Sequence, residues 1–169
     1  DTRRRFLVNC HTLSLKRTWL QLFQQTIAAW VTTTNIKVND NGERYIEYKW
    51  TEGFEKGVVY RGFVKSGLKN GRGELTTAQG DVYVGSWLED KKSGSFKVKF
   101  ANGATYVGSF ANDLPHGHGV FTADVKSLFV YDGEWQKGAK HGKGYLKWGE
   151  KMHYKGDFKY NRYDGHGVL

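Results

Sequence analysis

The side chains best suited to metal binding are five histidines in the second half of the chain. They are His116, His118, His141, His153 and His166. A zinc site needs about four His, Cys, Asp or Glu ligands arranged around one ion. His116 and His141 occupy equivalent positions of a repeated motif, where other copies have Asn, Ser or Asp. This exchange indicates a hydrogen-bonding role, and no Cys or acidic cluster completes a ligand set. The sequence therefore predicts no metal site.

Glycine pairs such as Gly71-x-Gly73 and Gly142-x-Gly144 could be mistaken for phosphate-binding loops. A dinucleotide fingerprint requires G-x-G-x-x-G between a strand and a helix, and a P-loop requires G-x-x-x-x-G-K-[ST]. Neither pattern occurs, and the chain also has no G-x-S-x-G or H-E-x-x-H motif. No set of residues meets the requirements of an active site. We therefore predict a non-enzymatic protein without a cofactor.

The glycines belong to a motif that is repeated five times. Each copy opens with a tyrosine: Tyr60, Tyr83, Tyr106, Tyr131 and Tyr154. Glycine follows at +2 and +11 in every copy and at +13 in four, with Phe96 as the exception. Position +4 is large and apolar: Val64, Trp87, Phe110, Trp135 and Phe158. A fixed period of this length indicates a repeat protein, which presents a long surface and rarely encloses one catalytic pocket.

The motif resembles the MORN (membrane occupation and recognition nexus) repeat, Tyr-x-Gly-x-Trp-x-x-Gly-x-x-His-Gly-x-Gly. Residues 131–144 match every defined position. The resemblance divides the chain into five repeats: 60–82, 83–105, 106–130, 131–153 and an incomplete 154–169. It implies a eukaryotic scaffold, often at cytoskeletal or ciliary structures or membrane contact zones, and frequently self-associating.

Strand periodicity predicts that each repeat is a β-hairpin. Residues at +0, +2 and +4 share one face, so an aromatic ring can lie across a glycine. Position +7 holds residues that tolerate positive φ at a hairpin tip: Gly67, Asp90, Asp113, Gly138 and Asn161. We expect the +11 and +13 glycines to share one face of the return strand. A two-residue insertion over 124–129 predicts a bulge or a longer loop. The predicted fold is mainly β, an elongated single-layer antiparallel sheet about 50 Å long.

Residues 1–41 form a basic N-terminal arm, in which positions 1–39 carry six basic residues and one acid. An apolar stripe predicts an amphipathic helix near 13–31, too polar to span a membrane. The helix could pack on the sheet or on a partner, lie on a membrane surface, or be the remnant of a mitochondrial targeting sequence. Residues 42–59 are interpreted as a degenerate repeat or a cap.

Two sets of residues are candidates for binding. We expect partner proteins to contact aromatic side chains of the helix and of position +4: Trp19, Phe23, Trp30, Trp87, Phe110, Trp135 and Phe158. We expect anions to bind the basic arm and a lysine cluster in the fourth hairpin: Arg3, Arg4, Arg5, Lys16, Arg17, Lys137, Lys140, Lys143 and Lys147. The alternative for these lysines is an ordinary solvated charged face.

Three functions stay open at this point. The first is a structural scaffold or adaptor that docks partner proteins within a large eukaryotic assembly, cytoplasmic and cytoskeletal or ciliary. The second is a peripheral membrane module that binds anionic lipids. The third is a basic embedded subunit of a mitochondrial or ribonucleoprotein complex, suggested by the Arg-rich arm, because such arms usually become ordered against phosphate or acidic protein.

Three further features bear on partners and compartment. No nucleic-acid module signature such as RNP1 is present. The single cysteine, Cys10, excludes an intrachain disulfide and suits a reducing compartment. The chain starts without Met and stops within its last repeat, which suggests a segment of a longer protein. The exposed edge of the last hairpin could also mediate self-association by adding a strand from a second copy.

Overall fold

The computed structural model describes residues 42–49, 55–123 and 128–168, and these form one open antiparallel sheet of eleven strands in sequence order. The strands are β1 (Arg44–Lys49), β2 (Val59–Lys65), β3 (Leu68–Thr76), β4 (Val82–Leu88), β5 (Lys91–Lys99), β6 (Thr105–Ala111), β7 (Leu114–Thr122), β8 (Val130–Gln136), β9 (Ala139–Trp148), β10 (Met152–Lys159) and β11 (Arg162–Val168). This confirms the predicted single-layer antiparallel sheet. The described part of the chain contains no helix.

The basic arm, with its predicted helix near 13–31, lies outside the described residues. The same holds for the binding residues assigned to it: Arg3, Arg4, Arg5, Lys16, Arg17, Trp19, Phe23 and Trp30. Their roles stay predictions. The adjoining strand β1 pairs with β2 in register, and Tyr45 meets Phe63 edge to face at 5.6 Å.

Each repeat is a hairpin closed by a two-residue turn, as predicted. Both turn residues have positive φ, for example Asn112 at 49° and Asp113 at 71°. This is the conformation of a type I′ turn, whose twist matches that of the paired strands. The same geometry recurs at Ser66–Gly67, Glu89–Asp90, Lys137–Gly138 and Tyr160–Asn161. The residue types at +7 therefore mark the tips correctly.

The glycine at +11 has a different role from the one predicted. Gly71 has a φ of 82°, and the β2–β3 register shifts between Gly62 and Val64 beside it. The residue is thus part of a β-bulge, which needs the left-handed conformation that glycine adopts without strain. A Cβ on Gly71 would meet the Glu43 carboxylate, not a tyrosine ring. The expectation that the +11 and +13 glycines share one face is wrong, because the bulge reorients the strand between them.

Successive hairpins are joined by short turns that also need glycine. Gly80 and Gly103 have φ values of 95° and 89°. The Gly80 N–H donates to the Thr77 carbonyl oxygen at 3.0 Å, and Gly103 repeats this bond with Phe100 at 2.9 Å. Before β8 the connection is longer, and the Ala123 N–H donates to the Phe129 carbonyl oxygen at 2.9 Å across it. Of the two predicted alternatives, a longer loop agrees with this spacing of β7 and β8, while residues 124–127 lie outside the described part of the chain.

Candidate interaction surfaces

One face of the sheet, which we call the ring face, carries an unbroken row of aromatic rings. We call this row the ring ladder. Neighbouring ring centroids are 4.3 to 5.9 Å apart, mostly in edge-to-face contact. In spatial order the rings are Tyr60, Trp87, Phe96, Phe110, Tyr106, Trp135, Tyr131, Phe158, Tyr154 and Tyr163. Aromatic pairs in this geometry each contribute about 0.5–1.5 kcal/mol beyond simple burial. The ring ladder is therefore the hydrophobic core of a one-layer protein.

Glycine provides the space that the tyrosines occupy. Gly133 and Gly144 are cross-strand partners, and a Cβ on Gly144 would lie 2.6 Å from the Tyr131 hydroxyl oxygen. The ring thus lies flat over two glycines, and its hydroxyl donates to the Glu134 carbonyl oxygen at 2.8 Å. Tyr131 is completely buried as a result. The same hydroxyl bond, to the carbonyl three residues on, is made by Tyr60, Tyr106 and Tyr154.

The second repeat departs from this arrangement because Phe96 stands where the other copies have glycine. Phe96 pairs with Gly85 across the hairpin, and its own ring covers Gly85. The space is then filled, and Tyr83 instead meets Phe100 edge to face at 6.3 Å. Within the described part of the chain Tyr83 makes no hydroxyl bond to a +3 carbonyl. Phe96 therefore replaces the tyrosine as the ring of this repeat, and the ladder continues without a gap.

Tryptophans at +4 link two of the repeats, the second and the fourth, to the repeat before them. The Trp135 indole N–H donates to the Gly119 carbonyl oxygen at 2.9 Å, and Trp87 makes the equivalent bond to Gly73 at 3.3 Å. Because Gly119 and Gly73 belong to the preceding repeats, these bonds link neighbouring hairpins. The +4 side chain thus couples repeats in addition to filling the ladder.

The +4 residues predicted to contact partners all lie in the ring ladder. Trp87, Phe110 and Phe158 are buried, and Trp135 is half-buried. Their contacts are with rings of their own and adjacent repeats. A role in partner binding stays a prediction for these four, and their structural role alone accounts for their residue types. Nothing in the sequence pattern distinguished a ring that faces a partner from a ring that faces its neighbour.

A hydrogen-bonded clasp connects the tips of successive hairpins. The Lys69 N–H donates to the Asp90 Oδ1 at 2.8 Å, and the Asp90 N–H donates to the Lys69 carbonyl oxygen at 3.0 Å. The pairs Lys92–Asp113 and Lys140–Asn161 form the same two bonds. The +7 carboxylate or amide thus stabilises the tip of the preceding repeat as well as its own turn.

The clasp also explains why one tip has glycine. The residue facing Gly138 is Pro115, which has no N–H to donate. The Gly138 N–H still donates to the Pro115 carbonyl oxygen at 2.9 Å, so only one of the two bonds remains. A side-chain acceptor at position 138 would find no backbone donor there.

The four lysines predicted to form one anion-binding cluster are distributed over different parts of the hairpin. Lys140 pairs with Trp135 and lies on the ring face, with its Nζ 5.4 Å from the Tyr131 ring centroid. Lys143 lies on the opposite face, where its Nζ is 3.0 Å from the Asp157 carboxylate. Lys147 pairs with Val130 on that same face, and Lys137 lies in the turn. The structure does not bring the four together, and anion binding by them stays a prediction.

Burial raises the pKa of two ladder tyrosines, Tyr106 and Tyr131, to about 12. An unfolded tyrosine ionises near pH 10, so the folded state holds these protons more tightly than the unfolded state does. The stability from their burial is complete below about pH 10 and is lost as the pH rises towards 12.

We therefore expect the urea concentration at the midpoint of unfolding to fall steadily between about pH 9.5 and 11.5, because an unfolded tyrosine ionises with a pKa of about 10. Tyr106→Phe should show a smaller fall than the wild type, because one buried ionisable ring has been removed. A wild-type midpoint that stays constant over this range would contradict the burial of the ladder.

The face opposite the ring ladder, which we call the outer face, is exposed and apolar at its centre. Strand alternation places four large side chains there in repeats two and three. Their exposed fractions are 44% for Val84, 56% for Leu88, 50% for Val107 and 46% for Leu114. These four residues, with the lysines between them, are called the outer patch. Val84 and Val107 flank Lys97 in one cross-strand row, whereas Leu88 and Leu114 lie nearer the hairpin tips, beyond Ser86 and Ser109. Exposed apolar surface on one face is a candidate interaction site.

The outer patch carries three lysines and no acid on its own strands. Lys97 lies between Val84 and Val107 in the cross-strand register, Lys91 faces Leu88, and Lys99 lies in the neighbouring row. In the described part of the chain, none of the three forms an ion pair. On the flanking repeats, by contrast, Arg61 is 2.9 Å from Glu47 and Lys143 is paired with Asp157. The outer patch is therefore both apolar and positively charged.

The described residues lack the clustered ligands of a metal site. No three His, Cys, Asp or Glu side chains among residues 42–49, 55–123 and 128–168 come close enough to hold a metal ion. A cleft of about 320 Å³ lies near the first two repeats, lined by Trp87, Leu75 and the paired side chains of Lys69 and Asp90 among others. No membrane-spanning helix was found in this part of the chain.

Comparison with known families agrees with this geometry. The MORN repeat model matches residues 60–82, 83–105, 106–124, 131–150 and 154–169, which is more than half of the chain. The chain therefore belongs to the MORN repeat family. Repeats of this family generally act as protein- or membrane-interaction modules and are typically non-catalytic. No curated protein matches the chain.

Proposed function

We propose that this protein is a non-enzymatic scaffold that docks a partner protein on the outer patch. The observation that carries the proposal is the contrast between the two faces of the sheet. The ring face buries its aromatic side chains against its own glycines and neighbouring rings. The outer patch leaves Val84, Leu88, Val107 and Leu114 about half exposed, at 44%, 56%, 50% and 46%.

The charge of the outer patch indicates the chemistry of the partner. Lys91, Lys97 and Lys99 have no ion-pair partner in the described part of the chain, so an acidic segment with an apolar face would complement both features. A second copy docked through the same patch would place lysines against lysines, which disfavours that pairing. The proposed partner is therefore an acidic protein segment.

The setting of this scaffold is also part of the proposal. Membership in the MORN family supports an adaptor in a larger assembly. The resemblance favours a cytoskeletal or ciliary assembly in the cytoplasm, with a mitochondrial complex as the alternative. The proposed role of the outer patch, docking an acidic protein segment, is the same in either setting.

The test compares two valine-to-glutamate variants that differ only in location. Val107→Glu places a carboxylate in the outer patch beside Lys97, a cross-strand pairing that the sheet tolerates. Val168→Glu makes the same change on the outer face of the last strand, where Val168 is 71% exposed. Both variants and the wild type would be expressed with a tag in the native cell and purified at low and high salt.

We expect Val107→Glu to lose partners that wild type and Val168→Glu both retain at high salt. The reason is that the new carboxylate repels an acidic segment and removes apolar contact area. If both variants keep the same partners as wild type, the outer patch is not the docking site. If the material lost from Val107→Glu is anionic lipid, shown by flotation with anionic and neutral vesicles, the protein is a membrane module instead.

A further inference from the structure

Three lysines occupy position +9 of their repeats and extend over the ring face. They are Lys69, Lys92 and Lys140. The Nζ atoms of Lys69 and Lys92 lie 3.2 Å and 3.3 Å from the carboxylates of Asp90 and Asp113. Lys140 has no such ion pair in the described part of the chain. One of three equivalent lysines therefore lacks its counter-charge.

The difference comes from a single residue at the facing tip. Asn161 stands where the other two pairs have aspartate, and its Oδ1 still accepts the Lys140 N–H at 2.8 Å. The Asn161 N–H also still donates to the Lys140 carbonyl oxygen at 3.0 Å. The amide thus keeps both bonds of the clasp and removes only the negative charge. The backbone geometry is preserved, so the lysines can be compared directly.

The side chain of Lys140 is held against aromatic rings. Its Nζ lies 5.0 Å from the centroid of the Phe129 ring and 5.4 Å from that of Tyr131. Its cross-strand neighbour is Trp135, and its backbone N–H donates to the neutral side chain of Asn161. The rings attract the ammonium, but burial of the site penalises it and no carboxylate compensates, so a larger share of this amine is neutral than in a fully solvated lysine. Burial accordingly lowers the pKa of Lys140.

We propose that Lys140 is a site of covalent acylation by acyl thioesters, selected over Lys69 and Lys92 by the absence of a carboxylate partner. The neutral amine attacks the thioester carbonyl, so that an N–C bond forms and the C–S bond breaks. The sulfur leaves as a thiolate, and the extra proton on nitrogen passes through solvent to that thiolate, which becomes the free thiol. The product is an uncharged amide, which removes one positive charge from the ring face. This inference is independent of the proposed docking function.

The test is a measurement of acetylation rates on the full chain. The protein is incubated with acetyl coenzyme A at mildly alkaline pH, and the acetylated fraction at each lysine is followed by peptide mass spectrometry. We expect Lys140 to react at least about threefold faster than Lys92, because the Asp113 carboxylate holds the ammonium of Lys92 and no carboxylate holds that of Lys140. Lys137, in the exposed turn, serves as the internal control for reagent activity and sample handling.

Two reciprocal variants separate the carboxylate effect from simple accessibility. Asn161→Asp gives Lys140 the partner that Lys92 has, and should slow its acetylation towards the Lys92 rate. Asp113→Asn removes the partner of Lys92 while keeping a clasp acceptor, and should accelerate Lys92 towards the Lys140 rate. Circular dichroism before labelling shows that both variants are folded. Equal rates at Lys92 and Lys140 in the wild type, or rates that neither variant changes, would overturn the proposal.

Discussion

Replacing Tyr131 by alanine is expected to lower the free energy of unfolding by about 3–5 kcal/mol, the cost of emptying a large buried aromatic site. The ring is fully buried, with its centroid 5.2 Å from that of Trp135 and 5.1 Å from that of Phe158. Its loss would leave a hole above two glycines and interrupt the ladder between repeats. Urea unfolding followed by tryptophan fluorescence measures the change.

A conservative variant at the same position distinguishes ring packing from hydrogen bonding. Tyr131→Phe keeps the ring and removes only the hydroxyl that donates to the Glu134 carbonyl oxygen. We expect a loss of about 1 kcal/mol, the net value of one such bond. If Tyr131→Ala cost no more than Tyr131→Phe, the ring would not be part of a packed core.

Gly144→Ala is the second change with a large expected effect, although it adds a single methyl group. The new Cβ would lie 2.6 Å from the hydroxyl oxygen of Tyr131 and 2.7 to 2.8 Å from two of its ring carbons. The ring must therefore move away from its position over the two strands. Overpacking of this kind costs about 1–3 kcal/mol, and we expect the upper end because the ring is fully buried.

A double variant identifies the cause of that cost. All three atoms nearest to the added methyl group belong to Tyr131, so Gly144→Ala should cost little in a Tyr131→Ala background. The coupling between the two sites is then a direct measure of the steric conflict. If Gly144→Ala were equally costly with and without the ring, glycine would be needed at this position for a backbone reason instead.

Much of this fold could be predicted from the sequence, because the five copies of the repeat show which residue type each position requires. Asp113 and Asn161 at +7 indicated tight turns, and both have positive φ. The +2 glycines indicated room for a ring, and Gly133 has the Tyr131 ring above it. In each case a local requirement of φ or of space determines the residue type.

The errors have equally specific causes. The face predicted for Gly71 is wrong because a bulge cannot be seen in a pattern of alternating residues. The role of Phe96 became clear only from its pairing with Gly85, since the sequence shows a missing glycine and not the ring that replaces it. Lys140 and Lys143 lie on opposite faces because they are three residues apart in one strand, which alternation alone would have shown.

The candidate site was harder to predict than the fold. Aromatic residues at +4 look like binding residues in the sequence, yet Trp87 and Phe110 are buried in the ladder. The outer patch consists of ordinary valines and leucines at positions that vary between repeats. Its signal was the cross-strand row formed by Val84, Lys97 and Val107, where the preceding repeat has Arg61 paired with Glu74. That row could be recognised only once the register between strands was known.

The measurement that tests the central claim most directly is lysine footprinting of the protein in its native assembly and in isolation. The claim is that the ring face is the core and that the outer patch carries the partner. It predicts that Lys97 and Lys99 lose reactivity in the assembly, while Lys155, on the outer face of the last hairpin, keeps it. Unchanged reactivity at Lys97 and Lys99, or protection confined to Lys155, would contradict it.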